Sequence, residues 1–194
     1  ESIFDVAHAV DGPVYIRALR GEVTRLFPPE EPFVFNRARI LSQGDDITLV
    51  TSGIMTEEAL RAVPLIRERG VGVHHLHVST IKPFTDPLVV EGLKRASSGV
   101  ITMENHTVVG GLGSAVAEVM AEQGMGVPLR RIGIPDTYAH GASQKYLMTE
   151  LGLDAMSLVG TVESLTRKSL GITGADLEES REVSVHSSAK VEAL

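Results

Sequence analysis

The amino-acid sequence predicts an α/β domain with a mostly parallel sheet and helices on both faces. Three observations predict it. Strand-like and helix-like segments alternate regularly from residue 38 to residue 170, as in sheets built from βαβ units. Hydrophobic residues make up 43% of the 194, but aromatic ones only 4%, and Trp is absent. Such a core is mostly Val, Leu, Ile and Ala, which suits a parallel sheet buried on both faces. Finally, residues 99–115 read GVITMENHTVVGGLGSA. A run of β-formers there ends in the polar group Glu104-Asn105-His106, and glycines then lead into a helix start, one half of a βαβ unit.

The elements follow in order. The segment SIFDVAH after Glu1 has the character of a helix already under way, so sequence is expected to have been removed upstream. Gly12-Pro13 is a turn, and Val14-Tyr15-Ile16-Arg17 a short strand. Pro28-Pro29-Glu30-Glu31-Pro32 suits neither helix nor central strand. It reads as a linker that sets the first thirty or so residues apart from the rest. Residues 38–41 and the turn Gly44-Asp45-Asp46 read as the start of a hairpin with strand 47–51. This first strand is expected to lie antiparallel at one end of the sheet. Thr56 is placed to cap a helix over 57–69 that has acidic residues in its first turn. Strands follow at 73–79, 100–104 and 129–133. Asp86-Pro87 opens a helix through Lys94, another begins near Ser114, Ser143 starts one to residue 151, and the last spans 157–170. From Ile172 onward the chain is small, polar and charged, so 172–194 is expected to be a disordered tail.

Composition narrows the function classes. The length fits one domain large enough to bury a core. Without Cys there are neither disulfides nor thiolate metal sites. A net charge of −7 argues against a general nucleic-acid surface. No apolar run approaches the roughly 20 residues that span a bilayer, and no signal peptide is visible. A cytoplasmic protein with no membrane and no nucleic-acid partner is the expectation.

Several residues are candidates for chemistry. Gly110-Gly111-Leu112-Gly113 invites a dinucleotide reading, but counting from Gly111 puts Val116 at the last glycine position, and Arg130 stands where a ribose-binding acid would be needed. The glycines therefore read as a sharp turn with close helix–sheet packing, although a helix N-terminus still attracts an anion or a carboxylate. Glu104 and His106 at a strand end suit acid–base work, or a network that ties loops together. His75 and His77 share one face of their strand and His74 the other. No third ligand is foreseen near them, which favours a non-metal role. Arg17 and Arg20 flank the exit of the first strand. A guanidinium fork there suits a phosphate or carboxylate, and a solvated surface pair fits the pattern equally well. His140 lies in a loop where Ser143 caps the following helix.

Three stretches carry a resemblance: TIKPF at 80–84, ENHTVVGGLGSAVAEVMAE at 104–122 and RIGIPDTYAHGASQKYLMTELGL at 131–153. They resemble the C-terminal domain of transketolases, most closely the C-terminal section of bacterial transketolases split into two chains. GPVYIRALRGEV at 12–23 resembles the final strand of the preceding pyrimidine-binding domain. The resemblance implies a division into 1–32 (end of the pyrimidine-binding domain and linker), 33–171 (transketolase C-terminal domain) and the tail. It implies a three-layer α/β/α fold with a five-stranded, mostly parallel sheet and one antiparallel edge strand. It also implies transfer of a two-carbon ketol unit between sugar phosphates, with thiamine diphosphate supplying the carbanion chemistry and the protein position and electrostatics. The family's cofactor-activating glutamate and its sites for Mg²⁺ and diphosphate lie in segments that this sequence lacks. No cofactor is therefore expected on the fragment, which should be inactive alone, and no catalytic, cofactor or metal residue is assigned. Arg20 matches the arginine that contacts the substrate phosphate; the resemblance gives Arg17 no role. The implied partner is the N-terminal section of the same enzyme, in a homodimeric or heterotetrameric assembly. 1-Deoxy-xylulose-5-phosphate synthase and the beta subunits of 2-oxoacid dehydrogenases share similar domains, and the loop at His140-Gly141 leans toward the synthase. A reading of another class is a non-catalytic dimerisation or anion-binding module.

Overall fold

The structure, a computed structural model, describes residues 2–19, 23–28 and 30–180. Its elements are α1 (Ser2–His8), β1 (Arg39–Ser42), β2 (Ile47–Thr51), α2 (Met55–Glu68), β3 (Val73–His77), α3 (Pro87–Arg95), β4 (Gly99–Thr107), α4 (Leu112–Glu122), β5 (Leu129–Ile134), α5 (Gln144–Glu150) and α6 (Ala155–Thr166). A short helix at 174–180 follows. Among the described residues no helix is long and apolar enough to cross a membrane.

The five strands form one sheet in the order β1-β3-β2-β4-β5. β2, β3, β4 and β5 are parallel, and β1 runs antiparallel to β3 at one edge. The central strand β2, Ile-Thr-Leu-Val-Thr, is buried at every position, as a strand covered on both faces must be. Alternate residues feed two cores. Ile47, Leu49, Ile101 and Met103 pack with Ala59, Ile66, Leu158 and Val162 of α2 and α6. Val50, Leu76 and Val100 pack with Val89 and Leu93 of α3 and Val116 of α4. Thr48 points toward α3, where its hydroxyl donates to the Gly92 carbonyl at 2.6 Å.

Several expectations are corrected. Residues 38–41 and 47–51 do not form a hairpin, because β3 inserts between β1 and β2. The antiparallel edge position is kept, but the partner differs. Val14-Tyr15-Ile16-Arg17 is not a strand; an extended segment needs a neighbour to complete its ladder, and it has none among the described residues. Thr56 does not cap α2. The N-cap is Ile54, without a side-chain bond, and Thr56 is buried within the helix. The last helix starts earlier than expected, because the Asp154 carboxylate caps it by accepting from the Ser157 N–H at 3.0 Å. It ends at Arg167, which adopts the left-handed conformation (φ 56°).

The expected disorder from residue 172 does not hold for 172–180. Thr173 and Asp176 form a reciprocal cap: the Thr173 N–H donates to Asp176 Oδ2 at 2.7 Å and the Asp176 N–H to Thr173 Oγ1 at 3.3 Å. Ile172 and Leu177 are buried in the α2/α6 core. Arg61 Nη2 donates to the Leu177 carbonyl at 3.1 Å, and Ser180 Oγ to the Arg61 carbonyl at 3.1 Å. Residues 181–194 lie outside the described residues.

Leu177→Ala should therefore lower stability by about 2–4 kcal/mol, the range for removing a buried leucine side chain. Urea unfolding checks this, and a loss under about 0.5 kcal/mol, the level of a surface substitution, would mean that the 174–180 helix is not docked.

Candidate functional site

The carboxyl ends of parallel strands are where α/β sheets gather ligands and partners, and the conspicuous polar side chains of this chain collect there. Glu104 is buried near the end of β4. Its Oε2 accepts from the Leu112 N–H and its Oε1 from the Gly113 N–H, both at 2.7 Å. These donors belong to the first turn of α4, which has no intrahelical partners for them, and the carboxylate meets the positive end of the helix dipole. A Cβ on Gly111 would collide with Glu104 Oε2, and one on Gly113 would lie 2.7 Å from Arg131 Cδ and 2.9 Å from Thr102 Oγ1. The glycines thus serve close approach, and the anion at this helix N-terminus is the chain's own. His106 Nδ1 donates to the Thr107 carbonyl at 2.8 Å, so Glu104 and His106 act in a loop-tying network rather than as an acid–base pair. Arg131 extends the network by donating from Nη1 to the Val108 carbonyl at 2.8 Å.

Asn105, between them, receives Arg17. The guanidinium donates from Nη2 to the Asn105 carbonyl at 2.9 Å and reaches Asn105 Oδ1 from Nη1 at 3.5 Å. The two readings open for Arg17, anion ligand or solvated surface charge, give way to a third: it fastens the N-terminal arm to the sheet. Arg20 lies outside the described residues.

The histidines divide as their alternation requires. His75 and His77 face α2. His75 Nε2 lies 2.9 Å from Thr51 Oγ1, Thr51 Oγ1 lies 2.8 Å from Thr56 Oγ1, and Thr56 Oγ1 lies 2.8 Å from His77 Nδ1. This explains why Thr56 was unavailable as a cap. Burial, then the neighbouring His77 and His74, push the His75 pKa down to about 3. Burial, then Arg39, push that of His77 down to about 4. His77 also stacks against Phe27 of the linker (ring centroids 4.9 Å apart), with the Arg39 guanidinium 4.2 Å over the same ring. His74 faces α3, where a Cβ on Gly92 would come within 3.0 Å of its ring; burial and then Arg95 lower its pKa, opposed by Asp45. Among the described residues no group of three or more His, Asp or Glu side chains is arranged to hold a metal.

Elsewhere, Ser143 caps α5 by accepting from the Tyr146 N–H at 3.3 Å, and His140 lies exposed, its Nε2 3.7 Å from Glu150 Oε2. An open groove of about 420 Å³ runs between α2, α5, α6 and the 174–180 helix, with Glu57, Arg61, Lys145 and Glu178 on its walls. Its principal ion pair is structural: Glu58 receives Arg61 at 2.9 Å and the Ala155 N–H at 2.9 Å, which joins α2 to the start of α6. Nothing in the sequence pattern singled out Thr51, Glu58 or Arg61, since their roles depend on which helix crosses which strand.

Glu104→Gln should destabilise the domain by about 1–3 kcal/mol, because an amide offers one acceptor to two buried N–H donors; an unchanged urea midpoint would contradict the network. The histidines set a pH dependence. Well above pH 6.5 they are neutral in both folded and unfolded chains. Below it the unfolded rings take up protons that the folded His75 and His77 refuse until about 3 and about 4. Stability should therefore fall with pH by up to about 1.4 kcal/mol per unit for each ring. Urea midpoints between pH 7 and 4.5 should fall less steeply for His75→Gln than for the natural chain, and equal slopes would refute the assignment.

The sequence profile of the family described as "Transketolase, C-terminal domain" matches residues 36–158. The 6-deoxy-6-sulfo-D-fructose transketolase subunit of Clostridium sp. (strain MSTE9) is 38% identical over 160 residues, which are 82% of this chain and 49% of the relative. 1-Deoxy-D-xylulose-5-phosphate synthase 1 of Geobacter sulfurreducens is 31% identical over 157 residues, 79% of this chain and 24% of the relative. Among solved structures, a split-gene transketolase, described as an inactive β4 tetramer, superimposes with a TM-score of 0.78 and 35% identity, covering 84% of this chain and 53% of that one. The chain thus spans about half the length of the transketolase subunit and about a quarter of the synthase. By the span of the family match and the identity of these relatives, the chain belongs to the transketolase C-terminal domain family.

Proposed function

We propose that this chain is the C-terminal part of a transketolase that transfers a two-carbon ketol unit between sugar phosphates in the cytoplasm, in an oligomeric assembly with an N-terminal section. The observation that carries this reading is the 38% identity to a protein named as a transketolase subunit, about half of whose length this chain spans. The split-gene likeness supports a partner section.

In our reading this chain does not itself hold the family's thiamine diphosphate and Mg²⁺. What supports this is that among the described residues no group of three or more His, Asp or Glu is arranged for a metal, and that Glu104 already fills the start of α4, where a diphosphate would otherwise be attracted. In our reading the N-terminal section and the bulk of the pyrimidine-binding domain hold them. The contribution of this chain is Arg20, whose guanidinium meets the phosphate of the sugar. The second reading is 1-deoxy-xylulose-5-phosphate synthase chemistry, which the 31% identical relative favours less than the subunit favours transketolase.

Assembled with its N-terminal section, thiamine diphosphate and Mg²⁺, the enzyme should transfer the ketol unit from xylulose phosphate to an aldose phosphate. Condensation of pyruvate with glyceraldehyde phosphate in its place would assign it to the synthases. Arg20→Ala should raise KM for phosphorylated sugars by the equivalent of about 1.5–3 kcal/mol and leave unphosphorylated ones unaffected. Micromolar binding of thiamine diphosphate to this chain alone, measured by isothermal titration, would overturn the division of labour.

A further inference from the structure

Between the end of β5 and the start of α6 the chain leaves the body of the domain. Every residue from 135 to 146 is exposed, and α5 buries none of its side chains. The segment is fixed at both ends. Upstream, the Ile134 carbonyl accepts from the Val108 N–H at 2.9 Å, which holds the end of β5. Downstream, Gly152 takes the left-handed conformation (φ +66°), Leu153 is buried and Asp154 caps α6. Between these ends the side chains mostly meet one another. His140 lies 3.7 Å from Glu150 and edge-on to Tyr146, and Gln144 Nε2 reaches Met148 Sδ at 3.8 Å. Among the described residues one ion pair leaves the segment, from Lys145 Nζ to Glu178 Oε1 at 4.0 Å. Both groups are exposed, and such a pair holds weakly. The rest of the hold is apolar: Met148 and Leu151, each only partly buried, rest on the α2/α6 core.

That packing is what keeps α5 in shape, since a seven-residue helix does not persist in water by itself. α5 also supplies Lys145 and Met148 to the groove whose other walls are α2, α6 and the 174–180 helix. We propose that residues 135–152 are a flap, hinged at Pro135 and Gly152, which lifts and melts while the sheet stays folded and so opens that groove. Segments that bury little open at a lower free energy than the core does. Two fasteners set how often this one opens, the Lys145–Glu178 pair and the seat of Met148. Lifting frees four N–H groups, those of Leu147, Leu151, Gly152 and Leu153. They donate to the carbonyls of Ser143, Leu147, Thr149 and Met148 at 3.0, 2.9, 3.2 and 2.7 Å.

Residue-resolved amide hydrogen exchange on the full chain tests this. The four flap amides should exchange together, about a hundredfold or more faster than those of Val159 and Val162 in α6, yet well slower than in an unstructured peptide. Urea well below the unfolding midpoint should leave the flap rates unchanged and raise those of α6. Ile101→Val trims the buried core and leaves the flap's own contacts alone. It should speed α6 roughly three- to tenfold and the flap not at all. Glu178→Gln, at an exposed position, should speed the flap amides about two- to threefold, and Met148→Ala about tenfold. Flap amides that match α6 in rate and urea dependence would overturn the proposal, because the segment would then open only with the whole domain. Exchange as fast as in an unstructured peptide would also overturn it, since no closed flap would exist. The same holds for rates graded from the helix ends, the mark of fraying, and for rates that neither fastener variant changes.

Discussion

The buried carboxylate of Glu104 is the constraint around which the carboxyl end of the sheet is organised. A side chain only 2% exposed needs partners for both of its oxygens, and the first turn of α4 supplies them. This requires the helix to begin almost in contact with the strand that precedes it. Only glycine at 111 and 113 permits that approach. The loop between strand and helix is then short of room, and Ser114, Arg131 and the Thr107 carbonyl take up its remaining polar groups. Asn105, one residue further on, is turned outward by the strand's alternation, and so becomes the place where the N-terminal arm lands.

A second constraint comes from the strands between the two cores. β2 and β3 are almost wholly buried, yet they carry Thr48, Thr51, His74 and His75. Each of these threonines finds a partner on the helix that covers its face: Thr48 on α3, Thr51 on α2. The polar residues therefore fix the register between sheet and helix as the aliphatic ones, which pack adaptably, do not. The linker uses the same surface from outside, with Phe27 held between His77 and Arg39, residues paired across β3 and β1.

The alternation of strands and helices, the helix starts at Asp86 and Ser143 and the split of the histidines between two faces were legible in the sequence, because each depends on neighbours within a few residues. Strand order was not. Residues 38–41 and 47–51 look like a hairpin locally, and only the sheet as a whole shows that β3 lies between them. Thr56 satisfied the local rule for a helix cap, but a buried partner on β3 claimed its hydroxyl. The helix after Thr173 carries a local signal too. Threonine followed three residues later by aspartate is a capping signature, and the polar composition around it hid two buried apolar side chains. At the site, the glycine turn and the Glu104 network followed from residue types and spacing. The union of Arg17 with Asn105, 88 positions apart, did not.

The row of four side chains from His75 to His77 carries a consequence for proton placement. Three links must be filled, and the two hydroxyls supply only two hydrogens between them, so at least one imidazole has to donate. His75 Nδ1 is buried without a partner, and a bare ring nitrogen tolerates that isolation better than an N–H would. Its hydrogen therefore resides on Nε2, Thr51 passes the polarity on to Thr56, and His77 Nδ1 is left to accept. Both rings are thus Nε2–H tautomers, one donating into the row and the other accepting from it, fixed by a pair of hydroxyls in the space between sheet and helix.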